Sequence, residues 1–350
     1  MLRKAVWAGL LAAGLPGLSL ACATCGCTLS SDAAMGYSSL AGWQVNLEYS
    51  FINQSQLRSG THTATPEQVV DNPSNPSLGG GEIEKKTINR YLTASVIYRP
   101  NARWNLDLLV PYVDRTHSTY GQQQSPYDVS EVDPSQVSNA DVSGLGDIKF
   151  ISSFQGLLPT HNLGVQLGLK LPTGAYGGPN AAGTGNVGHP VYFGSAGSSA
   201  GNQLDTSLQA GTGSTDVIVG AYYYQPVSQN FDAFVNGQFQ AAVRHALYQP
   251  GENYRPGNTA TLSAGLRYEE NPAFIPQLQI NFSDKSADQG ALADTTDTAG
   301  KVAYLSPGFT ARLQNQLHVY GFVQLPVFSD LSGYQLFPRW TATAGLSYAF

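Results

Sequence analysis

The 350-residue sequence has little charge, few cysteines and no long apolar runs after its first residues. Only 12% of its residues are Asp, Glu, Lys or Arg, whereas a soluble domain has about 25%. Beyond the first residues no segment holds about 18 consecutive apolar residues, which excludes a membrane-spanning helix. The formal net charge of −6 argues against nucleic acid as a partner.

The first residues have the pattern of a secretory signal peptide. Arg3 and Lys4 precede an apolar run over 5–15, and the small residues at 21–23 suggest cleavage after Ala23. We therefore expect residues 1–23 to be a signal peptide. Removal of its two basic residues would take the formal charge from −6 to −8.

Cys22 leaves a lipoprotein alternative open. The residues before it are Ser19, Leu20 and Ala21, whereas a lipidation signal prefers Leu at the first of these positions. Cleavage after Ala23 is the preferred interpretation.

The rest of the chain alternates apolar and polar residues with the period of a β-strand. The final segment places Ala342, Leu346 and Phe350 on one face and Thr341 and Ser347 on the other. A closed barrel is the β-structure that can cross a membrane, because closure leaves no unpaired strand edge. A terminal Phe also resembles the sorting signal of outer-membrane barrels.

These repeats predict an all-β fold, a transmembrane antiparallel up-and-down barrel of about twelve strands. Gaps between strands alternate short and long, so we expect short periplasmic turns, long extracellular loops and both termini in the periplasm. Residues 24–41 would form a Cys-containing periplasmic segment and 42–350 the barrel. The predicted strands are 42–51, 87–99, 104–115, 146–156, 163–171, 215–224, 231–243, 259–269, 273–283, 301–312, 317–327 and a last strand ending at residue 350, with long loops at 57–86, 116–142, 174–213 and 284–299.

The face assigned to lipid passes an independent check. Its aromatic residues collect near the strand ends, as Trp43, Tyr98, Trp104, Phe231 and Phe350 illustrate, and no Asp, Glu or Lys falls at mid-strand on it. Aromatic girdles and an uncharged lipid face are typical of outer-membrane barrels. A soluble β-sandwich would explain the alternation alone.

The opposite face is mainly polar and would line a pore. Its charges have both signs, so the sequence predicts no strong ion selectivity. The charged residues of this face either pair with one another or guide a solute. Its aromatic residues either pack against the wall or contact a flat solute. The predicted pore-lining residues are Glu48, Asp107, Asp147, Lys149, Lys170, Asp216, Asp232, Arg267, Glu269, Arg312, Tyr222, Phe234, Tyr320 and Phe322.

The three cysteines form the segment Cys22-Ala-Thr-Cys25-Gly-Cys27. After cleavage, Cys25 and Cys27 would remain, with a spacing suited to a soft metal such as Cu(I) or Zn. A strained disulfide across one glycine is the alternative, and docking of a periplasmic partner is another. Apart from this candidate metal, no cofactor is expected.

An enzyme is not expected. Outer-membrane phospholipases carry Ser and His on the lipid-facing wall, and no predicted strand here has that outward pair. Glycine-rich segments such as 79–81 lack the Lys-Ser/Thr of a phosphate loop.

Several short motifs occur in an order that resembles a known family. They are Gly144-Leu-Gly-Asp-Ile-Lys149, Lys170-Leu-Pro-Thr-Gly174, Gly211-Thr-Gly-Ser-Thr-Asp216, Ser306-Pro-Gly308 and the closing strand on Phe350. Residues 42–350 are similar to outer-membrane proteins grouped under "MetA-pathway of phenol degradation". That resemblance implies a transporter-like barrel associated with uptake of aromatic compounds. The N-terminal cysteines depart from the family pattern.

Three functions are therefore carried forward. The first is an outer-membrane channel in a Gram-negative bacterium, through which small solutes, aromatic or hydrophobic ones among the candidates, pass passively. The second is a scaffold whose Cys25–Cys27 segment docks a periplasmic metal or redox partner. The third is a structural or adhesive barrel acting through its loops. Membrane lipid is an expected partner in all three.

Overall fold

The protein is almost entirely β-structure in the computed structural model, which describes residues 40–70, 83–123 and 131–350. A short helix, α1 (Pro66–Val70), and a 3-10 turn (Thr206–Leu208) are the helical elements among these residues. No helix in these ranges is long and apolar enough to cross a membrane. The strands are β1 (Gly42–Gly60), β2 (His62–Thr63), β3 (Ile83–Asn101), β4 (Trp104–Gln123), β5 (Glu131–Leu145), β6 (Ile148–Phe154), β7 (Leu163–Leu171), β8 (Gly177–Pro179), β9 (Asn186–Gly188), β10 (Ser214–Pro226), β11 (Phe231–His245), β12 (Thr259–Tyr268), β13 (Phe274–Lys285), β14 (Gly300–Arg312) and β15 (Leu317–Ala349).

The strands close into an antiparallel barrel. Each long strand pairs with its neighbour in the chain, and β15 returns to pair with β1 from Gln44 opposite Ala349 to Gly60 opposite Leu331. The Trp43 N–H donates to the Phe350 carbonyl at 2.9 Å, so the two ends of the barrel sequence meet. Because the ring of strands is closed, neighbouring strands of the described wall satisfy one another's backbone hydrogen bonds.

The ring contains eleven strands, of which β15 crosses the wall twice. Its first half pairs with β14 and its second half with β1, and both pairings reach Leu331. Gly333, with φ 53°, reverses the chain beside that residue. Segments β5 and β6 together form one crossing, interrupted at Gly146 and Asp147, since both pair with β4. The prediction of about twelve crossings is therefore confirmed.

The two faces of the wall differ as the alternation predicts. In β7, Leu167 is 62% exposed and Leu169 is 44% exposed, while Gln166 and Lys170 are 8% and 4% exposed. Apolar side chains thus cover the outside of the barrel and polar side chains fill the inside, which is the arrangement of a barrel in lipid.

Aromatic pairs join neighbouring strands on the outer face. Trp43 and Tyr98 stack with ring centroids 4.3 Å apart, and Phe231 and Tyr268 are 5.0 Å apart. Both pairs lie at the end of the barrel where β1 begins at Gly42 and the chain reaches Phe350, and we call this the terminal end. Phe51 and Trp340, with ring centroids 5.8 Å apart, lie toward the opposite end of the barrel, which we call the loop end. These contacts form the predicted girdles.

Several predicted loops are strands instead. β4 continues to Gln123 and pairs with β5, where the sequence predicted a loop from 116 to 142. β1 likewise continues to Gly60, and β15 is continuous through the predicted gap after residue 327. These extensions carry mostly polar side chains with scattered apolar ones, and some of the apolar ones, such as Leu57 of β1 and Val142 of β5, pack in buried clusters. The strict alternation that lipid imposes is therefore absent although the backbone pairing continues.

Buried apolar clusters lie at the loop end of the barrel. One joins Ala140 and Val142 of β5 to Phe193, Leu204 and Leu208 of the long segment between β7 and β10. Two others pack the outer parts of β1, β3, β14 and β15. The long segment between β7 and β10 is thus folded against the barrel by apolar contact.

Candidate functional site

A cavity of about 410 Å³ occupies the barrel interior. Six charged residues predicted to line the pore surround it, together with one of the four predicted aromatic residues. Amides and hydroxyls from β1, β6, β7, β11 and β12 supply most of the remaining wall. The predicted residues at this cavity are Glu48, Asp107, Asp147, Lys149, Lys170, Asp216 and Tyr320.

Three of the sequence motifs meet at Lys170, where the cavity wall approaches the loop end. The Lys170 ammonium lies 3.0 Å from an Asp147 carboxylate oxygen and 3.2 Å from an Asp216 oxygen. It also donates to the hydroxyls of Thr212 and Ser214, the second at 3.0 Å. These contacts support the alternative in which the lumenal charges pair with one another, for Asp147 and Lys170. Lys149 instead donates to the neutral amide of Gln240 at 3.2 Å.

Asp147 also fixes both ends of the long segment between β7 and β10. Its carboxylate accepts the backbone N–H of Gly174 at 3.1 Å and that of Thr212 at 3.0 Å. Gly174 and Gly211 are in close backbone contact there, and a Cβ on Gly174 would lie 2.7 Å from the Gly211 Cα. The segment 174–212 therefore leaves and re-enters the wall at one point.

Residues 204–209 of this segment separate two cavities, and we call them the partition. A second cavity of about 520 Å³ lies at the loop end. Ser207 lines both cavities, so the partition is thin at the 3-10 turn. The segment therefore folds over the lumen at the loop end of the barrel.

Arg115 holds the partition from the inner face of β4. Its guanidinium donates to the carbonyls of Leu208 and Gln209, the second at 3.4 Å. It also donates to Asn89 Oδ1 at 2.5 Å and to the Tyr91 hydroxyl at 2.8 Å. Strand parity would have placed Arg115 on the inner face, but the two carbonyls come from a loop whose path the sequence did not predict.

The outer cavity is lined by four carboxylates and by no basic residue of the described chain. Burial, together with the neighbouring Asp294 carboxylate, raises the pKa of Asp297 to about 7. A hydrogen bond from the Tyr334 N–H, at 3.1 Å, opposes that shift because it favours the charged form. The lining carboxylates are Glu84, Asp205, Asp294 and Asp297.

The predicted lumenal aromatic residues mostly pack against the wall. Tyr222, Phe234 and Phe322 are 3%, 6% and 3% exposed and do not line the cavity. Each ring covers a glycine on an adjacent strand, and Tyr320 does the same while its hydroxyl donates to Glu48 at 2.7 Å. This geometry supports the packing alternative for these four residues.

The remaining predicted residues lie toward the terminal end, away from the cavity. Arg267 is 3.1 Å from Glu269 and stands opposite Asp232 in the strand register. Arg312 is exposed and stands opposite His318. The structure thus brings seven of the predicted pore-lining residues together at the cavity and places the other seven between the cavity and the terminal end.

A row of polar side chains crosses six neighbouring strands at one level of the cavity. Register places Asn105 opposite Ser153 and Ser153 opposite Gln166, and the row continues past Gly220 to Gln238 and Thr261. Gln166 donates to Ser153 at 3.3 Å, and Gln238 donates to Gln166 at 2.9 Å across the space above Gly220. We call these five side chains the polar row.

Two amide oxygens at the cavity have no hydrogen-bond partner in the described chain. They are Oδ1 of Asn105 and Oδ1 of Asn236, on residues 6% and 9% exposed. A buried polar atom without a partner costs about 1–3 kcal/mol. A bound molecule that donates hydrogen bonds would remove this cost.

The candidate metal ligands Cys25 and Cys27 lie outside the described residues. Within residues 40–70, 83–123 and 131–350, no three His, Cys, Asp or Glu side chains are grouped so as to hold a metal ion.

Comparison with known proteins relates this geometry to one solved channel. No protein-family model matches the sequence, and no curated protein matches it either. The COG4313 outer membrane channel from Pseudomonas putida F1 aligns with 89% of this chain and 96% of its own, with a TM-score of 0.59 and 11% identity. At that identity the likeness shows a common fold.

Two further structures are less similar. The translocator domain of autotransporter NalP from Neisseria meningitidis has a TM-score of 0.49 at 9% identity, over 91% of this chain and 92% of its own. The toluene transporter TbuX from Ralstonia pickettii has a TM-score of 0.44 at 9% identity, over 96% of each chain. Both scores are too low to support an argument. The fold of this chain is that of an outer-membrane β-barrel.

Proposed function

We propose that the protein is a channel in the outer membrane of a Gram-negative bacterium, through which small solutes pass passively. The observation that carries the proposal is the 410 Å³ polar cavity inside a closed barrel whose outer face is apolar. A barrel of about twelve strands is wider than the side-chain-filled eight-stranded type and narrower than an open porin. Its interior therefore suits small solutes.

The solute path would run through both cavities. A solute would enter the outer cavity of about 520 Å³, pass the partition and reach the lumenal cavity. The partition must move for this to occur, because residues 204–209 separate the two spaces. Buried Tyr222, Phe234 and Phe322 lie beyond the cavity toward the terminal end. We place that end in the periplasm.

Planar-bilayer recording of the purified barrel tests the channel. We expect discrete steps of ion conductance from the mature protein in a bilayer without other proteins. Folding is checked by the change in gel mobility that barrels show when heating unfolds them. A folded barrel that gives neither conductance nor solute flux, with the partition intact or released, would refute the proposal.

A second candidate rests on the spacing of Cys25 and Cys27, which precede β1 at the terminal end. We propose that this segment binds a soft metal or docks a periplasmic partner. Metal analysis of the mature protein, beside a variant with both residues changed to Ser, tests the metal. Loss of one equivalent in the variant is expected, and an unchanged metal content would reject this role.

A further inference from the structure

We propose that the lumenal cavity favours a neutral polyhydroxylated solute of about monosaccharide size over an aromatic hydrocarbon. This inference rests on the proposed function and names the solute class of the same site. It differs from the expectation drawn from the lumenal aromatic residues, and three features of the cavity support it.

The first feature is the density of hydrogen-bonding groups. The polar row crosses six strands, and its three amides and two hydroxyls can each donate and accept hydrogen bonds. Planar amides of this kind pair well with vicinal hydroxyls, which both donate and accept. The unpartnered Oδ1 atoms of Asn105 and Asn236 add two acceptors that a hydroxyl can satisfy. An aromatic hydrocarbon has no donor for them and would exclude water from them.

The second feature is a short apolar strip on one wall. Leu109, Pro111 and Val113 follow one another along the inner face of β4, and Ile151 of β6, which stands opposite Asp107, is the diagonal neighbour of Leu109. A pyranose ring has a face of C–H groups that can rest on such a strip while its hydroxyls reach the polar row. The cavity thus combines a small apolar surface with many polar partners, as ligand sites commonly do.

The third feature is the balance of charge. Lys170 lies between the carboxylates of Asp147 and Asp216, and Glu48 accepts the Tyr320 hydroxyl at 2.7 Å. Arg115 is engaged by the partition carbonyls. Charges of both signs are therefore already held by protein groups, which favours a neutral solute.

The aromatic rings give little support to a flat apolar solute. The rings of Tyr222, Phe234 and Phe322 are buried against glycines and are not part of the cavity wall. The two tyrosines that do line it direct their hydroxyls to charged groups, Tyr320 to Glu48 and Tyr91 to Arg115.

The test compares glucose with benzene, an aromatic hydrocarbon that has no hydrogen-bond donor, as modulators of ion current in planar bilayers. We expect millimolar glucose to reduce the mean current through the wild-type channel and benzene at the same concentration to leave it unchanged. Asn236→Leu removes a polar group from the cavity and should raise the glucose concentration for half-reduction at least fivefold. Gln279→Leu is the matched control, because Gln279 is buried inside the barrel but does not line the cavity, and it should shift that value less than twofold.

The outcomes separate the two proposals. Ion current without any effect of glucose, or an equal effect of benzene, overturns the solute class and leaves the channel standing. Equal shifts in Asn236→Leu and Gln279→Leu also overturn it. Absence of ion current in every folded variant overturns the channel and the solute class with it. If Asn236→Leu does not fold, Asn105→Leu takes its place, and the wild-type comparison of the two solutes decides independently of either variant.

Discussion

The ring of Tyr222 lies directly over Gly164 on the neighbouring strand. A Cβ placed on Gly164 would be 2.2 Å from the Tyr222 Cζ atom. The same relationship joins Phe234 to Gly265, Phe322 to Gly308 and Tyr320 to Gly345. Each ring covers backbone that a glycine leaves bare and fills lumenal volume, so these pairs stabilise the wall and narrow the pore together.

Gly164→Ala should therefore destabilise the barrel. The added methyl group would displace the Tyr222 ring and break its hydrogen bond to Gln155, which is 2.7 Å long. Overpacking of this kind costs about 1–3 kcal/mol. Urea unfolding in lipid vesicles measures the loss of unfolding free energy.

Gly237→Ala is the control for that variant. It changes a glycine of the same barrel whose new Cβ would meet nothing closer than 3.7 Å. An unfolding free energy that falls equally in both variants would show that the loss reflects glycine flexibility and not the contact with Tyr222.

Asp147→Ala should release the loop 174–212. The change removes the acceptor of the Gly174 and Thr212 N–H groups and one of the two carboxylates beside Lys170. The Lys170 and Asp147 side chains are 5% and 7% exposed, and breaking a buried pair costs about 3–5 kcal/mol. Hydrogen exchange at Gly174 and Thr212 should accelerate markedly.

Asp114→Ala provides the comparison for the loop release. Asp114 pairs with Arg90 at 3.5 Å, but the two side chains are 50% and 35% exposed, and such pairs contribute about 0–1 kcal/mol. Exchange at the loop ends should stay at the wild-type rate. A similar acceleration in Asp147→Ala and Asp114→Ala would contradict the role given to Asp147.

Arg115→Met should increase conductance by loosening the partition. The variant keeps an unbranched side chain but loses the donors to Leu208, Gln209, Asn89 and Tyr91. Hydrogen bonds from a charged donor contribute about 1.5–3 kcal/mol each, so the 3-10 turn would lose its main tether to β4. Single-channel recording should show larger or longer-lived open levels.

Arg244→Met separates this effect from a change in charge. Arg244 is exposed on β11, and its loss should leave conductance near the wild-type value. An Arg115→Met channel with wild-type conductance would mean that the partition does not limit passage.

The lipid-facing wall could be predicted from the sequence because lipid imposes one chemical requirement on every second residue. Leu163, Leu167 and Leu171 show this clearly in β7. The same alternation placed Asp147 and Lys170 inside the barrel, and their pairing was one of two alternatives. The even number of crossings followed from the alternation of short and long gaps.

The partition and the glycine contacts could not be predicted in this way. Arg115 and Leu208 are 93 positions apart, and their contact depends on a loop held by bonds between side chains and backbone, which have no period. The contact between Tyr222 and Gly164 depends on strand register, and the alternation excludes a shift by one residue but does not choose between registers that differ by two. The outer parts of β4 and β5 were missed because their few apolar residues, such as Ala140 and Val142, pack against the segment between β7 and β10 and do not alternate as those of a lipid-facing strand do.

The outer cavity should be better ordered at acidic than at alkaline pH. Burial and Asp294 raise the pKa of Asp297 from 3.8 to about 7, so the folded state holds this proton more tightly than the unfolded state does. The stabilisation is fully present below about pH 3.8 and is lost as the pH rises through about 7.

Asp297 contacts the β15 turn through the Tyr334 N–H and lies against Gly333. Amide exchange in residues 291–298 and 332–335 should therefore be slower at pH 5.5 than at pH 8, after correction for intrinsic rates. Asp297→Asn should abolish that difference, because the amide keeps the acceptor for Tyr334 and cannot ionise. Persistence of the full pH dependence in this variant would assign it to another group.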